Sequence, residues 1–134
     1  MSGFNGMVIE EFRTNGGHVS RFGDGLVLLH TVGARSGEPR IHPVLGIAQP
    51  DGSWLIAASA AGSPRHPAWY LNIRAHRDIT IESGTETIPV TATDIEDPDY
   101  DAAWGQFLAA GPSFSGYQES AGDRRIPVVK LARR

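Results

Sequence analysis

The stretch A-S-A-A-G-S-P-R-H-P-A-W-Y-L-N, residues 58 to 72, decides how the rest of the chain is read. It joins a predicted strand to a predicted helix through a loop of small residues, a construction that brings backbone close to a bound ligand. Ser59, Ala60, Ala61, Gly62 and Ser63 carry almost no side-chain bulk, so main-chain N–H groups there can face an anion or a ring edge. Pro67 suits the first turn of a helix, whose free N–H groups and positive dipole end also favour negative charge. Arg65 in the loop points to a phosphate or carboxylate as the ligand group. The plainer reading is an ordinary strand-to-helix connection with a solvated arginine.

Upstream, Leu26 to Val32 (L-V-L-L-H-T-V) is an unbroken apolar run that reads as a buried strand, with His30 a hydrogen-bonded core residue. Gly33 and Ser36-Gly37 mark a turn, and Pro39 to Ile47 resumes as extended chain. Gln49-Pro50-Asp51-Gly52 is a hairpin signal, which predicts that 39–48 and 53–59 pair antiparallel. At the start, Phe4 to Arg13 places Met7, Val8, Glu11 and Phe12 at helical spacings and stops at Asn15-Gly16-Gly17. This short helix caps a barrel end, covers a cofactor or touches a membrane surface; a polar face poor in Lys and Arg favours capping.

Downstream, a helix over 67–76 precedes a strand pair at 78–83 and 86–93 turned by Ser83-Gly84. Asp97 is placed to cap the next helix, with Pro98 at its first position and Asp99 and Asp101 in its first turn. Tyr100, Trp104, Phe107 and Leu108 form that helix's apolar stripe, Gly111 ends it, a loop covers 112–123, and Ile126 to Leu131 is a last strand. The sum is an α+β chain, mainly β: six or so antiparallel strands in a small Greek-key or split barrel with flanking helices.

The chain of 134 residues fits a single domain over 1–134. It has no cysteine, which excludes disulfides, thiolate catalysis and Cys-based metal sites and suits a reducing, cytoplasmic setting. It shows neither a membrane-length apolar run nor a signal-peptide pattern. A net charge of −3 argues against general nucleic-acid binding. Between 31 and 77, however, Arg35, Arg40, Arg65, Arg74 and Arg77 face only Glu38 and Asp51, which reads as a local anion site.

Most catalytic signatures are missing. His18, His30, His42, His66 and His76 form no metal-binding spacing, so no metal is expected, and there is no nucleophile elbow, Walker loop or dinucleotide fingerprint. A cysteine-free barrel with anion loops and no acid–base set implies that a bound cofactor carries the reaction.

Four segments in order, F-N-G-M-V-I-E-E-F-R (4–13), L-L-H-T-V-G-A-R-S-G-E-P-R (28–40), A-A-S-A-A-G-S-P-R-H-P-A-W-Y-L-N (57–72) and G-Y-Q-E-S-A-G-D-R-R-I-P-V-V-K-L (116–131), closely resemble the deazaflavin-dependent nitroreductase family. The resemblance implies a split β-barrel like the flavin-binding pyridoxamine-oxidase fold, with the deazaflavin coenzyme F-420 as hydride donor. It further implies a small electron acceptor: a quinone, a nitro compound or an activated double bond. Arg35 and Arg40 suit the coenzyme's phosphate and oligoglutamate tail, and the small loop leaves room for its ring.

In the family, the segments matching Ala34, Arg35 and Ser36, then Arg40, His42, Pro43, Val44 and Leu45, then Ala58, Ser59 and Ala60, and finally Ala68, Trp69 and Asn72 line the cofactor site. Ser59 and Tyr117 match positions where hydroxyls orient or protonate the acceptor. The chain departs from the nitroreductase pattern at Leu45, Gly111 and Phe114, where aromatic hydroxyls occur, and at Ala60, where a lysine often stands, so the acceptor stays open. Two other readings stay open beside the reductase: a carrier that binds the deazaflavin or an apolar ligand without turnover, and an FMN oxidoreductase on the same barrel. Peripheral membrane contact through the first helix is the alternative to capping. The oligomeric state is not readable from the sequence.

Overall fold

One continuous stretch, residues 39–48, supplies both edges of the sheet. The computed structural model describes residues 3–20, 25–111 and 113–134, with only the backbone at 3–5, 61 and 113. Its strands are β1 (Leu26–Val32), β2 (Pro39–Leu45), β3 (Ile47–Ala48), β4 (Trp54–Ala57), β5 (Asp78–Ser83), β6 (Glu86–Asp94) and β7 (Val128–Arg133). They form one antiparallel sheet in the order β2-β1-β5-β6-β7-β4-β3. The edge strands β2 and β3 are separated by Gly46 alone, so the sheet must curl until its two ends nearly meet. Gly46 permits the bend because a Cβ there would lie 3.1 and 3.3 Å from the Val27 methyl carbons.

This geometry corrects the expected hairpin. Only its tip pairs as read, Ile47 with Leu55 and Ala48 with Trp54, whereas β2 pairs along its full length with β1. The other flank of β4 is taken by β7, which leaves no partner position for β2 once Gly46 has turned the chain. The β5–β6 hairpin matches its expected position, with Ser83 opposite Glu86.

Among the described residues four α-helices cover the sheet: α1 (Gly3–Thr14), α2 (Ala68–Ala75), α3 (Tyr100–Ala110) and α4 (Ser113–Ala121). In α1, Val8, Ile9 and Phe12 turn inward onto Val19, Leu26, Leu28 and Ile41, so the helix caps the sheet, while Met7 is exposed. No helix among the described residues is long and apolar enough to cross a membrane.

Helix α3 begins two residues later than expected, because the Asp97 carboxylate is engaged by Arg125 at 2.8 Å and Asp99 occupies the N-cap. Leu108 leaves the predicted stripe and is exposed, while Tyr100, Trp104 and Phe107 are buried. Helix α4 occupies most of the expected loop; its apolar anchors Phe114, Tyr117 and Ala121 pack on the α3 cluster. Ser, Gly and Gln at its other positions hide that period from a sequence reading.

His30 is half-buried rather than in the core. Its Nε2 lies 2.6 Å from Glu82 Oε2, and Arg13 of α1 holds the same carboxylate at 2.7 Å. That cluster ties α1 to β1 and β5.

Candidate active site

Three elements converge on a cleft of about 290 Å³ lined by Gly33, Ala34, Arg35, Ser36, Arg40, His42, Ala68, Leu71 and Asn72. Strand alternation puts Arg40 and His42 on one face of β2, and Val44 continues that face into the core. Helical spacing puts Ala68, Leu71 and Asn72 on one face of α2, while Trp69, Tyr70 and Ile73 face the core. The β1–β2 turn completes the rim: Gly33 N–H donates to Glu38 O at 2.8 Å, Gly37 N–H to Gly33 O at 2.9 Å, and Glu38 N–H to Ser36 Oγ at 3.2 Å. A Cβ on Gly33 would stand 2.4 Å from Ser36 Oγ, so a side chain there would displace the Ser36 hydroxyl from its bond to the Glu38 N–H.

The cleft is cationic and holds an unmet polar atom. Arg35 makes no hydrogen bond or ion pair to any described residue, and Arg40 reaches only Glu38 at 3.3 Å and the Pro39 carbonyl. The Nε2 of His42 is buried with no hydrogen-bond partner among the described residues. Burial first, and then the neighbouring Arg40 charge, push this imidazole below its ordinary value, so it is neutral at pH 7. A polyanion bearing hydrogen-bonding groups is what such a donor set accommodates.

Of the residues singled out from the sequence, Ala34, Arg35, Ser36, Arg40, His42, Ala68 and Asn72 meet in this cleft. Pro43 is half-buried on β2 opposite Leu28; Val44, Ala58 and Trp69 belong to or pack on the main core, and Leu45 packs on the α3 cluster. Ser59, Ala60 and Tyr117 form a second group. There, a 3-10 turn (Ala60–Gly62) follows Ser59 and packs on α4, and a Cβ on Gly62 would meet Ser120 Cβ at 2.8 Å and Tyr117 backbone at 3.0 Å. The N–H groups of Gly62 and Ser63 are bonded within the turn, to Ser59 O and Ala60 O, so they are not the free anion cradle expected of this loop.

The loop's carbonyls have a cation instead. Arg124 donates to Ala58 O and Ser59 O at 2.8 Å and to Ser63 O at 3.0 Å. Sequence reading passed over Arg124 as a site residue, and nothing local marks it, since its partners lie about sixty positions away.

On the far side of α2, Tyr70 donates to Asp94, and Arg77 pairs with the same carboxylate at 2.8 Å. Burial first, then Asp94, push the Tyr70 phenol to about 12, so it stays a donor. Among the described residues, no group of three His, Asp or Glu is placed to hold a metal ion.

The curled antiparallel sheet, with this cationic cleft beside it, has the form of a split barrel. The family described as F420H(2)-dependent quinone reductase matches residues 7–132. An F420H(2)-dependent quinone reductase of Mycobacterium tuberculosis is 40% identical over 112 residues, covering 81% of this chain and 73% of that protein. A putative F420H(2)-dependent quinone reductase of the same organism is 30% identical over 105 residues, covering 78% and 87%. Among solved structures, an F420-H2 dependent reductase superposes with TM-score 0.71 at 32% identity, covering 80% of this chain and 93% of that one. The heme storage protein HutZ of Vibrio cholerae, 16% identical with TM-score 0.59 over 94% and 87%, shares the fold alone. The chain belongs to the F420H(2)-dependent quinone reductase family, and its cofactor is therefore the reduced deazaflavin coenzyme F-420.

Proposed function

We propose that the protein passes a hydride from reduced coenzyme F-420 to a quinone, with the coenzyme's anionic tail held in the cleft between the β1–β2 turn and α2. The observation that carries this reading is the convergence of Arg35, Arg40 and the unpartnered Nε2 of His42 on one cleft. When bound, the reduced coenzyme supplies a hydride from its ring carbon. Arg35 and Arg40 would pair with phosphate or tail carboxylates, where a guanidinium fork is superior to a point charge. His42, neutral and half-buried, would hydrogen-bond a polar atom of the coenzyme through its buried Nε2.

Reducing a quinone to a quinol takes one hydride and one proton, so an oxygen of the acceptor needs a proton donor beside it. The hydroxyls of Ser59 and Tyr117 fill that role in this reading, donating to or orienting the acceptor oxygen. Phe114, set edge-on to Tyr117 at 5.5 Å, would help exclude water from the ring. Nitro compounds and activated double bonds are further acceptors that the same hydride chemistry admits.

Titrating the protein with oxidised coenzyme F-420, and separately with FMN, by calorimetry tests the cofactor assignment. Turnover with menadione then tests the reaction. Saturable, preferential binding of the deazaflavin followed by menadione reduction is the expected result; preference for FMN would overturn the assignment, and binding without turnover would leave a carrier.

A further inference from the structure

The most heavily engaged cation outside the cleft is Arg124, half-buried between the loop after β4 and the approach to β7. One guanidinium makes four contacts: Nη1 to Ala58 O at 2.8 Å and to His66 Nδ1 at 3.2 Å, Nη2 to Ser59 O at 2.8 Å, and Nε to Ser63 O at 3.0 Å. Arginine has no acceptor, so the lone pair of His66 Nδ1 must accept, and in the neutral ring the proton sits on Nε2. Burial first, then the Arg124 and Arg74 charges, push His66 below its ordinary value, which keeps Nδ1 available.

Two further features fit a loop held from outside. Ala60 sits at φ +48°, an unfavourable region for a residue with a Cβ, and no side-chain cap holds the turn that follows. Arg124 is itself braced: Gln118 of α4 donates to Arg124 O at 2.8 Å and accepts the N–H of Ile126 at 3.0 Å. The chain from α4 through Arg124 thus reaches the backbone on both sides of Ser59.

We propose that Arg124 is the positioning residue of the Ser59 loop, its guanidinium gathering three loop carbonyls so that the Ser59 hydroxyl is presented to the acceptor in one orientation. The inference rests on the reading of Ser59 given above. Three carbonyls turned toward one charge cannot turn outward, so the peptide planes that orient Ser59 are fixed before the acceptor arrives. Lysine carries its three donors on one nitrogen, whereas these carbonyls are met from three separate nitrogens of the guanidinium.

The test compares wild type, Arg124→Ala, Arg124→Lys and Ser59→Ala in coenzyme affinity, in menadione reduction at saturating coenzyme, and in amide exchange at Gly62 and Ser63 without coenzyme. Arg124→Ala is expected to lower kcat on the order of tenfold to a hundredfold while coenzyme Kd moves less than about twofold. Exchange at Gly62 and Ser63 should quicken, and millimolar guanidinium should restore part of both kcat and protection in this variant alone. Arg124→Lys should lose kcat as well, and it carries the test if Arg124→Ala does not fold. Unchanged kcat and exchange in either folded variant overturns the proposal, as does a parallel loss of coenzyme binding that guanidinium leaves untouched. Wild-type kcat in Ser59→Ala would instead overturn the underlying reading of Ser59, whatever Arg124 does.

Discussion

Asn72 ties α2 to the turn that carries Arg35: its Oδ1 accepts the backbone N–H of Ala34 at 2.9 Å, and its Nδ2 donates to Thr31 Oγ1 at 3.1 Å. A helix side chain therefore sets the position of the β1–β2 turn. Asn72 and Thr31 are both buried, so Asn72→Leu strands two polar groups and should cost about 1–3 kcal/mol of stability. Coenzyme affinity should fall about tenfold as the Arg35 turn loosens. Urea unfolding and calorimetric titration check both; full affinity in a destabilised variant would show that the turn holds its shape without Asn72.

Charge at the cleft should dominate coenzyme binding. Arg35→Ala is expected to weaken it by about 1.5–3 kcal/mol, tenfold to a hundredfold in Kd, through loss of a charge-assisted contact. Arg40→Ala should do less, because Glu38 already engages part of that side chain. Affinity should also decline with added salt, more gently in either variant than in wild type. Tyr117→Phe should leave Kd unchanged and lower kcat. Equal coenzyme binding by wild type and Arg35→Ala would remove the cleft from the coenzyme site.

His42 should show opposite effects on stability and binding. Its buried Nε2 has no partner among the described residues, so His42→Leu should raise unfolding stability by about 1 kcal/mol while weakening coenzyme binding. The folded-state value lies below the ordinary 6.5, so protonation favours the unfolded chain. Wild-type stability should then decline as pH falls below about 6.5, a decline smaller in His42→Leu. Stability curves at pH 7.5 and 5.5 decide this; a Leu variant that is less stable at both would mean that Nε2 is satisfied after all.

Glu82 gives the acid limb. The Arg13 hydrogen bond first holds its carboxyl below the ordinary 4.5; burial, next in size, opposes it, and the His30 contact adds to the lowering. A lowered folded value means stabilisation that is present above about 4.5 and lost as pH falls through the folded value. Glu82→Gln should thus be about 1 kcal/mol less stable than wild type at pH 7, since Arg13 is half-exposed and screened, and the difference should close as pH falls to 3. Thermal melts across that range would refute the assignment if the two proteins converged nowhere.

Local signals placed most elements. The apolar run at 26–32, the turn residues at 33–37 and the Ser83-Gly84 hairpin depend on neighbours within a few positions, and β1, β2, β5 and β6 fall where those signals put them. The cleft was legible through the family resemblance of G-A-R-S-G-E-P-R and P-A-W-Y-L-N, and in the fold strand alternation sets Arg40 beside His42 and helical spacing Ala68 beside Asn72. What pairs across the chain was not legible.

Only the tertiary structure decided that 39–48 splits at Gly46 to form both edges of the sheet, since the choice depends on Val27 and on β7 having already filled the flank of β4. It alone showed α4, whose apolar period is too sparse to see without the α3 surface it covers. It turned the small-residue loop around, because Arg124, about sixty residues away, captures the carbonyls of a loop whose local chemistry advertised its N–H groups. The sequence by itself thus determined which residues could meet a polyanion and a ring. Long-range pairing, which carries loop-closure entropy and no local signature, determined which of them share one cleft.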